Sequence, residues 1–211
     1  MEGLTGQDFH RMKIGVFGGT FDPPHLGHLI LAAEAVDQLK LERLVWVLTS
    51  TPPHKSRGSI TSIQDRLDMT LLMVEQDPNF TFSRVDIDRP GPHYSVDMIK
   101  LLQEVYQDAE LCFLMGGDSL HDLPGWYHAN ELVAICSSFG VMRRPDDQVD
   151  LDSLEQVLPG IRRKVEFIRS PLLEISSHEI RNRIRENRTY RFFLLPEVYQ
   201  MINQRRLYTA G

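Results

Sequence analysis

A short apolar run, Lys13-Ile14-Gly15-Val16-Phe17, stops at a pair of glycines, and an amphipathic run begins at Leu26. The β-branched and aromatic content of the first run predicts a buried strand. From Leu26 the apolar residues recur at Leu29, Ile30, Ala33 and Val36, the period of a helix with one face in a core. The stretch Gly18-Gly19-Thr20-Phe21-Asp22-Pro23-Pro24-His25-Leu26-Gly27-His28 is therefore a strand-to-helix turn. Adjacent glycines let backbone amides approach a ligand without a Cβ in the way, and a helix N-terminus adds unpaired N–H groups and partial positive charge. That combination favours a phosphate. His25 and His28, three residues apart in the first helical turn, can point to one place.

Other chemistries for this turn have different requirements. The Walker spacing Gly-x4-Gly-Lys-Ser/Thr is absent, and no Gly-x-Gly-x-x-Gly follows the first strand. A zinc site would need a third ligand, and no Glu follows the first His as in His-Glu-x-x-His, so no metal site is assigned. Two histidines that only cap a helix are the bland alternative.

The rest of the chain alternates strand and helix. Arg43 to Leu48 reads as a second strand, followed by a loop from Thr49 to Ile60. Thr61 and Gln64 have capping-box spacing for a helix to about Gln76, with Leu67, Leu71, Leu72 and Val74 on its apolar face. Phe80 to Val85 is strand three, Ser95 opens a helix, and Glu110 to Met115 is strand four. Phe139 to Met142 is the fifth strand, 150–159 a peripheral helix, 164–169 a final strand, and 196–206 a closing helix that packs Val198, Met201 and Ile202 on the sheet. Strands separated by helical runs imply right-handed crossovers, hence an α/β fold with a Rossmann-like, doubly wound parallel sheet. The 211 residues suit one domain, with 170–211 as a small C-terminal helical part and residues 1–11 as a poorly ordered extension.

In such sheets the ligand lies beyond the carboxyl ends of the strands where the order reverses, between the first strand and the fourth. Strand one ends in Gly18-Gly19 and strand four in Gly116-Gly117-Asp118-Ser119, so both ends are expected to face one crevice. Asp118 is placed either to accept from a ribose or merely to cap the next helix. Net charge of −6 and a pI near 5.7, with no long basic block, argue against nucleic acid as a partner and for small substrates. Two cysteines, Cys112 and Cys136, are too few for a disulfide framework and fit a reducing cytoplasm, and no apolar run is long enough for a membrane span.

Gly18 to His28, taken with Ile175-Ser176-Ser177-His178-Glu179-Ile180-Arg181, resembles the nucleotidyltransferase superfamily with His-x-Gly-His and Ile-Ser-Ser-Thr-x-x-Arg signatures. Within it the chain looks most like the bacterial nicotinate-nucleotide adenylyltransferases, from about Lys13 to Tyr208. The resemblance implies adenylyl transfer from ATP to nicotinate mononucleotide, with Mg2+ carried by ATP. It implies that His25, His28 and Arg181 act on the phosphates, and that Gly18, Gly19, Thr20, Phe21, Gly116, Asp118, Ile175, Ser176 and Ser177 hold ATP. For the mononucleotide it implies His54 and Lys55 in the Pro-Pro-His-Lys loop, Tyr94 and Ser95 before the third helix, the Trp126-Tyr127 pair against the pyridine ring, and Arg144 in Arg143-Arg144-Pro145. On local chemistry alone, Lys55 with Arg57 is solvated surface and Trp126 a core residue. Ser176 and Glu179 also have capping-box spacing, whereas Arg181 and Arg185, four apart, can meet phosphates. His178 departs from the family's Thr. A phosphopantetheine-type adenylyltransferase and a silent nucleotide-binding regulator are the alternative functions; a homo-oligomer is open.

Overall fold

The computed structural model describes residues 11–50, 60–142, 149–171 and 174–209. Among them, six strands form one sheet in the order β3-β2-β1-β4-β5-β6: β1 (Lys13–Gly19), β2 (Arg43–Leu48), β3 (Phe80–Ser83), β4 (Glu110–Gly116), β5 (Ser138–Met142) and β6 (Val165–Ile168). Every pairing is parallel. A parallel sheet is covered on both faces, which is why the strands are near-continuous apolar runs: Leu44 to Leu48 of β2 are fully buried. The order reverses between β1 and β4, as the alternation of elements implies.

Helices α1 (Leu26–Gln38), α2 (Ile63–Val74), α3 (Ser95–Val105), α4 (Gly117–Asp122), α5 (Ala129–Ile135), α6 (Leu151–Val157), α7 (Ile161–Lys164), α8 (Ser177–Arg185) and α9 (Pro196–Gln204) cover the two faces. Alternate residues of each strand feed two cores. Phe17, Trp46 and Leu48 pack with α1, α2, α8 and α9 on one side. Val16, Val45 and Val47 pack with α3, α5 and α6 on the other.

Several local expectations shift. The buried stripe of α1 is Leu31, Ala32 and Ala35, the two alanines letting the helix lie close to the sheet, while Ala33 is exposed and Leu26, Leu29 and Val36 are half-buried flanks. The cap of α2 is Ser62, not Thr61: its hydroxyl accepts from the Asp65 N–H at 3.1 Å. The inward face of α2 is Arg66, Met69, Thr70 and Met73, an i, i+3, i+4, i+7 set, flanked by buried Leu67, and Leu71 turns outward. Strand β3 ends at Ser83 because the chain closes a turn, with the Ile87 and Asp88 amides donating to the Arg84 carbonyl. Helix α9 buries Val198 and Ile202 in the core shared with α2 and with Phe17, Trp46 and Leu48 of the sheet, and Arg205 pairs with Asp65 and Asp68 of α2.

Arg66 is 1 % exposed. Its Nε donates to the Thr61 carbonyl at 3.0 Å, Nη1 to those of Thr20 at 3.0 Å and Thr49 at 2.8 Å, and Nη2 to that of Ser50 at 2.8 Å. One side chain thus ties the chain just past β1 to the chain just past β2 and the entry to α2. Replacing it with apolar Met removes four hydrogen bonds to part-buried carbonyls. We expect Arg66→Met to destabilise the fold by at least about 3 kcal/mol, read as a lower urea midpoint with an unchanged slope.

Candidate active site

The turn after β1 is bent back on itself. Phe21 adopts φ 47, a left-handed conformation uncommon for an aromatic residue, and its ring packs edge-on against Phe17 and His28 and tilted against Trp46. This fold-back explains Gly19: a Cβ there would stand 2.7 Å from the Phe21 ring. Phe21 is therefore 2 % exposed and its ring belongs to the core, which leaves its backbone as the part open to a nucleotide. Packing against Phe21, rather than ligand access alone, calls for the second glycine.

His25 is the N-cap of α1 and is 6 % exposed. The His25 and His28 rings stack with centroids 3.7 Å apart. A Cβ at Gly27 would lie 3.0 Å from His25 Nδ1, so the glycine between the two histidines makes room for the first ring. The backbone N–H of His25 donates to His28 Nδ1 at 3.2 Å. An accepting Nδ1 fixes the neutral tautomer with its proton on Nε2, so His28 presents an N–H donor outward. Burial holds His25 at about 4, and burial followed by the neighbouring His25 holds His28 well below the ordinary histidine value. The pair is uncharged at neutral pH in the free protein. What the pair can offer a ligand is hydrogen-bond donation rather than a standing positive charge.

Two clefts open beside this turn. The smaller, about 290 Å³, is lined by His25, Gly27 and His28 at the start of α1 and by Ile175, Ser176 and Ser177 at the start of α8. Two helix N-termini, each with free N–H groups and a partial positive end, thus face one space suited to a polyphosphate. Ser176 accepts from the Glu179 N–H at 3.1 Å. The reciprocal half of a capping box is not made, because the Glu179 carboxylate pairs with Arg183 at 2.7 Å.

The larger cleft, about 850 Å³, is lined by Gly18, Gly19 and Thr20 from the other end of the same turn, by Tyr94 and Ser95 at the start of α3, and by Trp126 and Tyr127. Gly18 to Thr20, expected beside ATP, so stand in the cleft of the residues expected beside the mononucleotide. Tyr127 is stacked between Tyr94 at 4.1 Å and His128 at 4.0 Å, which leaves Trp126, edge-on to Phe113, as the less occupied ring. Asp86 and His93 also line this cleft. Asp86 is 2 % exposed and paired with Arg89 at 2.7 Å, and burial pushes its carboxyl up against that pairing. Burial lowers His93, whose Nδ1 has no hydrogen-bond partner.

Some expected residues stand elsewhere. Gly116 and Asp118 line neither cleft; Ser119 and Asp122 of α4 reach the larger one, and Asp118 is exposed in the first turn of α4. Arg181 donates to the Asp22 carbonyl at 2.6 Å instead of projecting into the smaller cleft, and Arg185 is exposed and bonded to Asn182. His54, Lys55, Arg57 and Arg144 lie outside the described residues, as does the extension before Arg11. Three residues central to the geometry carried no assigned role from sequence: Arg66, Asp22 and Tyr208. An arginine on the apolar stripe of α2 is a signal, since a buried guanidinium must find carbonyls; Tyr208 has no such signature.

Among the described residues no cluster of three or more His, Cys, Asp or Glu side chains is placed to hold a metal, and no helix is long and apolar enough to cross a membrane. A sheet reversing at β1 and β4, with helix N-termini gathered at that edge, defines the nucleotide-binding class of α/β proteins. The cytidylyltransferase-like family model matches residues 16–183. A protein of Thermomicrobium roseum named "Probable nicotinate-nucleotide adenylyltransferase" is 43 % identical over 196 residues, covering 93 % of this chain and 91 % of its own. A protein of the same name from Acidothermus cellulolyticus is 40 % identical, with 97 % of each chain covered. The Plasmodium falciparum nicotinic acid mononucleotide adenylyltransferase complexed with NaAD superimposes with a TM-score of 0.76 at 20 % identity over 94 % of this chain and 98 % of that one, a likeness of fold. The chain belongs to the cytidylyltransferase-like family, among its nicotinate-nucleotide adenylyltransferase members.

The depressed value of His25 has a pH consequence. In the unfolded chain the imidazole titrates near 6.5, and in the fold near 4, so protons bind the unfolded state first as pH falls. The stability from neutral His25 is complete above pH 6.5 and is lost as pH falls to about 4, by about 3 kcal/mol. Urea denaturation at pH 7 and pH 4.5 is expected to show a smaller pH-dependent loss in His25→Asn than in the wild type.

Proposed function

We propose that this chain transfers the adenylyl group of ATP to nicotinate mononucleotide, giving nicotinate adenine dinucleotide and pyrophosphate. The observation that carries this reading is the pair of clefts sharing one turn, a small one under two helix N-termini and a large one with an aromatic wall. The relatives' name supplies the substrate pair. A phosphate oxygen of the mononucleotide forms a bond to the α-phosphorus of ATP while the bond from that phosphorus to the bridging oxygen of pyrophosphate breaks. The attacking phosphate is already ionised at neutral pH, so no general base is needed, and catalysis rests on alignment and on donors aimed at developing charge.

In this reading the polyphosphate lies in the smaller cleft against the α1 and α8 amides, with His25 and His28 donating to it and Ile175, Ser176 and Ser177 bordering it. Mg2+ enters bound to ATP as part of the substrate. Arg181 leaves the Asp22 carbonyl to meet the leaving pyrophosphate. Gly18, Gly19 and Thr20 lie between the two substrates, and Gly116 and Asp118 border the nucleotide from β4. The pyridine ring stacks on Trp126 beside Tyr127, and its carboxylate meets Ser95 and the free amides after Tyr94 at the α3 N-terminus. His54, Lys55 and Arg144 are assigned to the mononucleotide phosphate by resemblance. A cytoplasmic enzyme acting on these two soluble metabolites, in a single domain of one or more copies, completes the proposal.

Pyrophosphate release from ATP, compared with nicotinate mononucleotide, its amide and phosphopantetheine as acceptors, tests it. The acid is expected to react faster than the amide; equal rates remove the carboxylate contact from the reading. Removing one donor to a transition-state oxyanion costs about 3 kcal/mol, roughly a hundredfold in rate. His28→Ala is expected to lose at least that in turnover with an unchanged circular-dichroism spectrum; near-normal turnover would refute its role.

A further inference from the structure

Asp22 lies at the middle of the turn that supplies both clefts, and it is 3 % exposed. Its Oδ1 accepts from the Tyr208 hydroxyl at 2.8 Å, its Oδ2 from the Thr61 N–H at 3.3 Å, and its carbonyl from Arg181. The next carbonyl, that of Pro23, accepts from the Ser177 hydroxyl at 2.8 Å. The segments holding this turn thus come from the entry to α2, from α8 and from the chain beyond α9.

Tyr208 reaches Asp22 through an unusual backbone. Arg206 and Tyr208 adopt φ 52 and φ 66, conformations in which glycine is the easy occupant, and the Leu207 amide closes back on the Ile202 carbonyl at 3.0 Å. Left-handed non-glycine residues persist where surrounding contacts over-determine them. The same holds for Phe21 at φ 47, one residue before Asp22. Strained backbone therefore meets strained backbone across a single charge-assisted hydrogen bond. Burial, and then the Asp22 carboxylate, push the Tyr208 hydroxyl above the ordinary tyrosine range, so it stays protonated and donating.

We propose that Tyr208 is a positioning residue for the nucleotide side of the site: its bond to Asp22 holds the strained turn in the shape that places His25 and His28. It touches neither cleft and does no chemistry itself. Its importance increases when ATP binds. In the proposed function Arg181 then gives up the Asp22 carbonyl, and Tyr208 with the Thr61 amide keeps the hold on Asp22. That last point rests on the adenylyl-transfer reading; the holding of the turn does not.

Tyr208→Phe removes one hydroxyl and keeps the ring. The expected outcome is a melting temperature within a few degrees of wild type, about tenfold weaker binding of α,β-methylene-ATP by calorimetry and a higher KM for ATP, with the KM for the mononucleotide unchanged. Asp22→Asn turns the bond into a neutral one and is expected to weaken analogue binding about threefold, with the double variant no worse than Tyr208→Phe alone. The imidazole 15N spectrum needs no ligand: Tyr208→Phe is expected to broaden or mix the single His28 tautomer of the wild type. Wild-type analogue affinity with an unchanged His28 spectrum, whatever the melting temperature, overturns the proposal, as does an equal rise in both KM values. Lack of turnover with nicotinate mononucleotide in the wild type would count against the substrate assignment alone, because the spectrum reads the turn without substrate.

Discussion

Arg66 carries a permanent positive charge into the interior, where an unpaired ion would be untenable, and four carbonyl oxygens surround it while the Asp22 carboxylate acts on it from nearby. The carbonyls belong to Thr20, Thr49, Ser50 and Thr61, at the ends of β1 and β2 and the entry to α2. A planar fork of donors is the one side chain that can satisfy several such oxygens at once, and lysine, a point charge, cannot reproduce that spread. This group ties together the edge of the sheet where β1 and β2 release the chain, and both clefts open at that edge.

The division of labour between the clefts follows from where helices begin. Helices α1 and α8 start at the smaller cleft and α3 at the larger, so each cleft has helix N-terminal amides of its own. Uncharged histidines suit this arrangement. A pair of imidazolium rings stacked at 3.7 Å would repel each other, whereas neutral rings stack and one of them still donates.

Much of the architecture was legible because it is written in local pattern. Apolar runs ending in glycine, and helical stripes between them, led to the parallel sheet and its reversal at β1 and β4. The two motif segments do meet, at the smaller cleft. What sequence could not reveal is set by packing at a distance. Whether Ala33 or Ala35 faces inward depends on how α1 leans, and Leu71 turned outward because Arg66 took the inward stripe of α2. Gly18-Gly19 reads as a ligand cradle, yet Gly19 answers to the Phe21 ring. Tyr208 meets Asp22 across 186 residues, and no spacing rule operates over such a range.

That separation bears on how the protein is made. The side chains that bond to Asp22 and Pro23 of the turn after β1 come from far along the chain: 154 residues away for Ser177, 159 for Arg181 and 186 for Tyr208. Synthesis proceeds from the N-terminus, so the turn and its histidines leave the ribosome long before the residues that shape them. The sheet between β1 and β6 can assemble while that edge is still open, and long-range closure is the slow class of contact. The core on the α1 side closes late as well, because α8 and α9 contribute Ile180, Ile184, Val198 and Ile202 to it, and a chain released before residue 208 would carry both histidines without the Tyr208 contact on their turn.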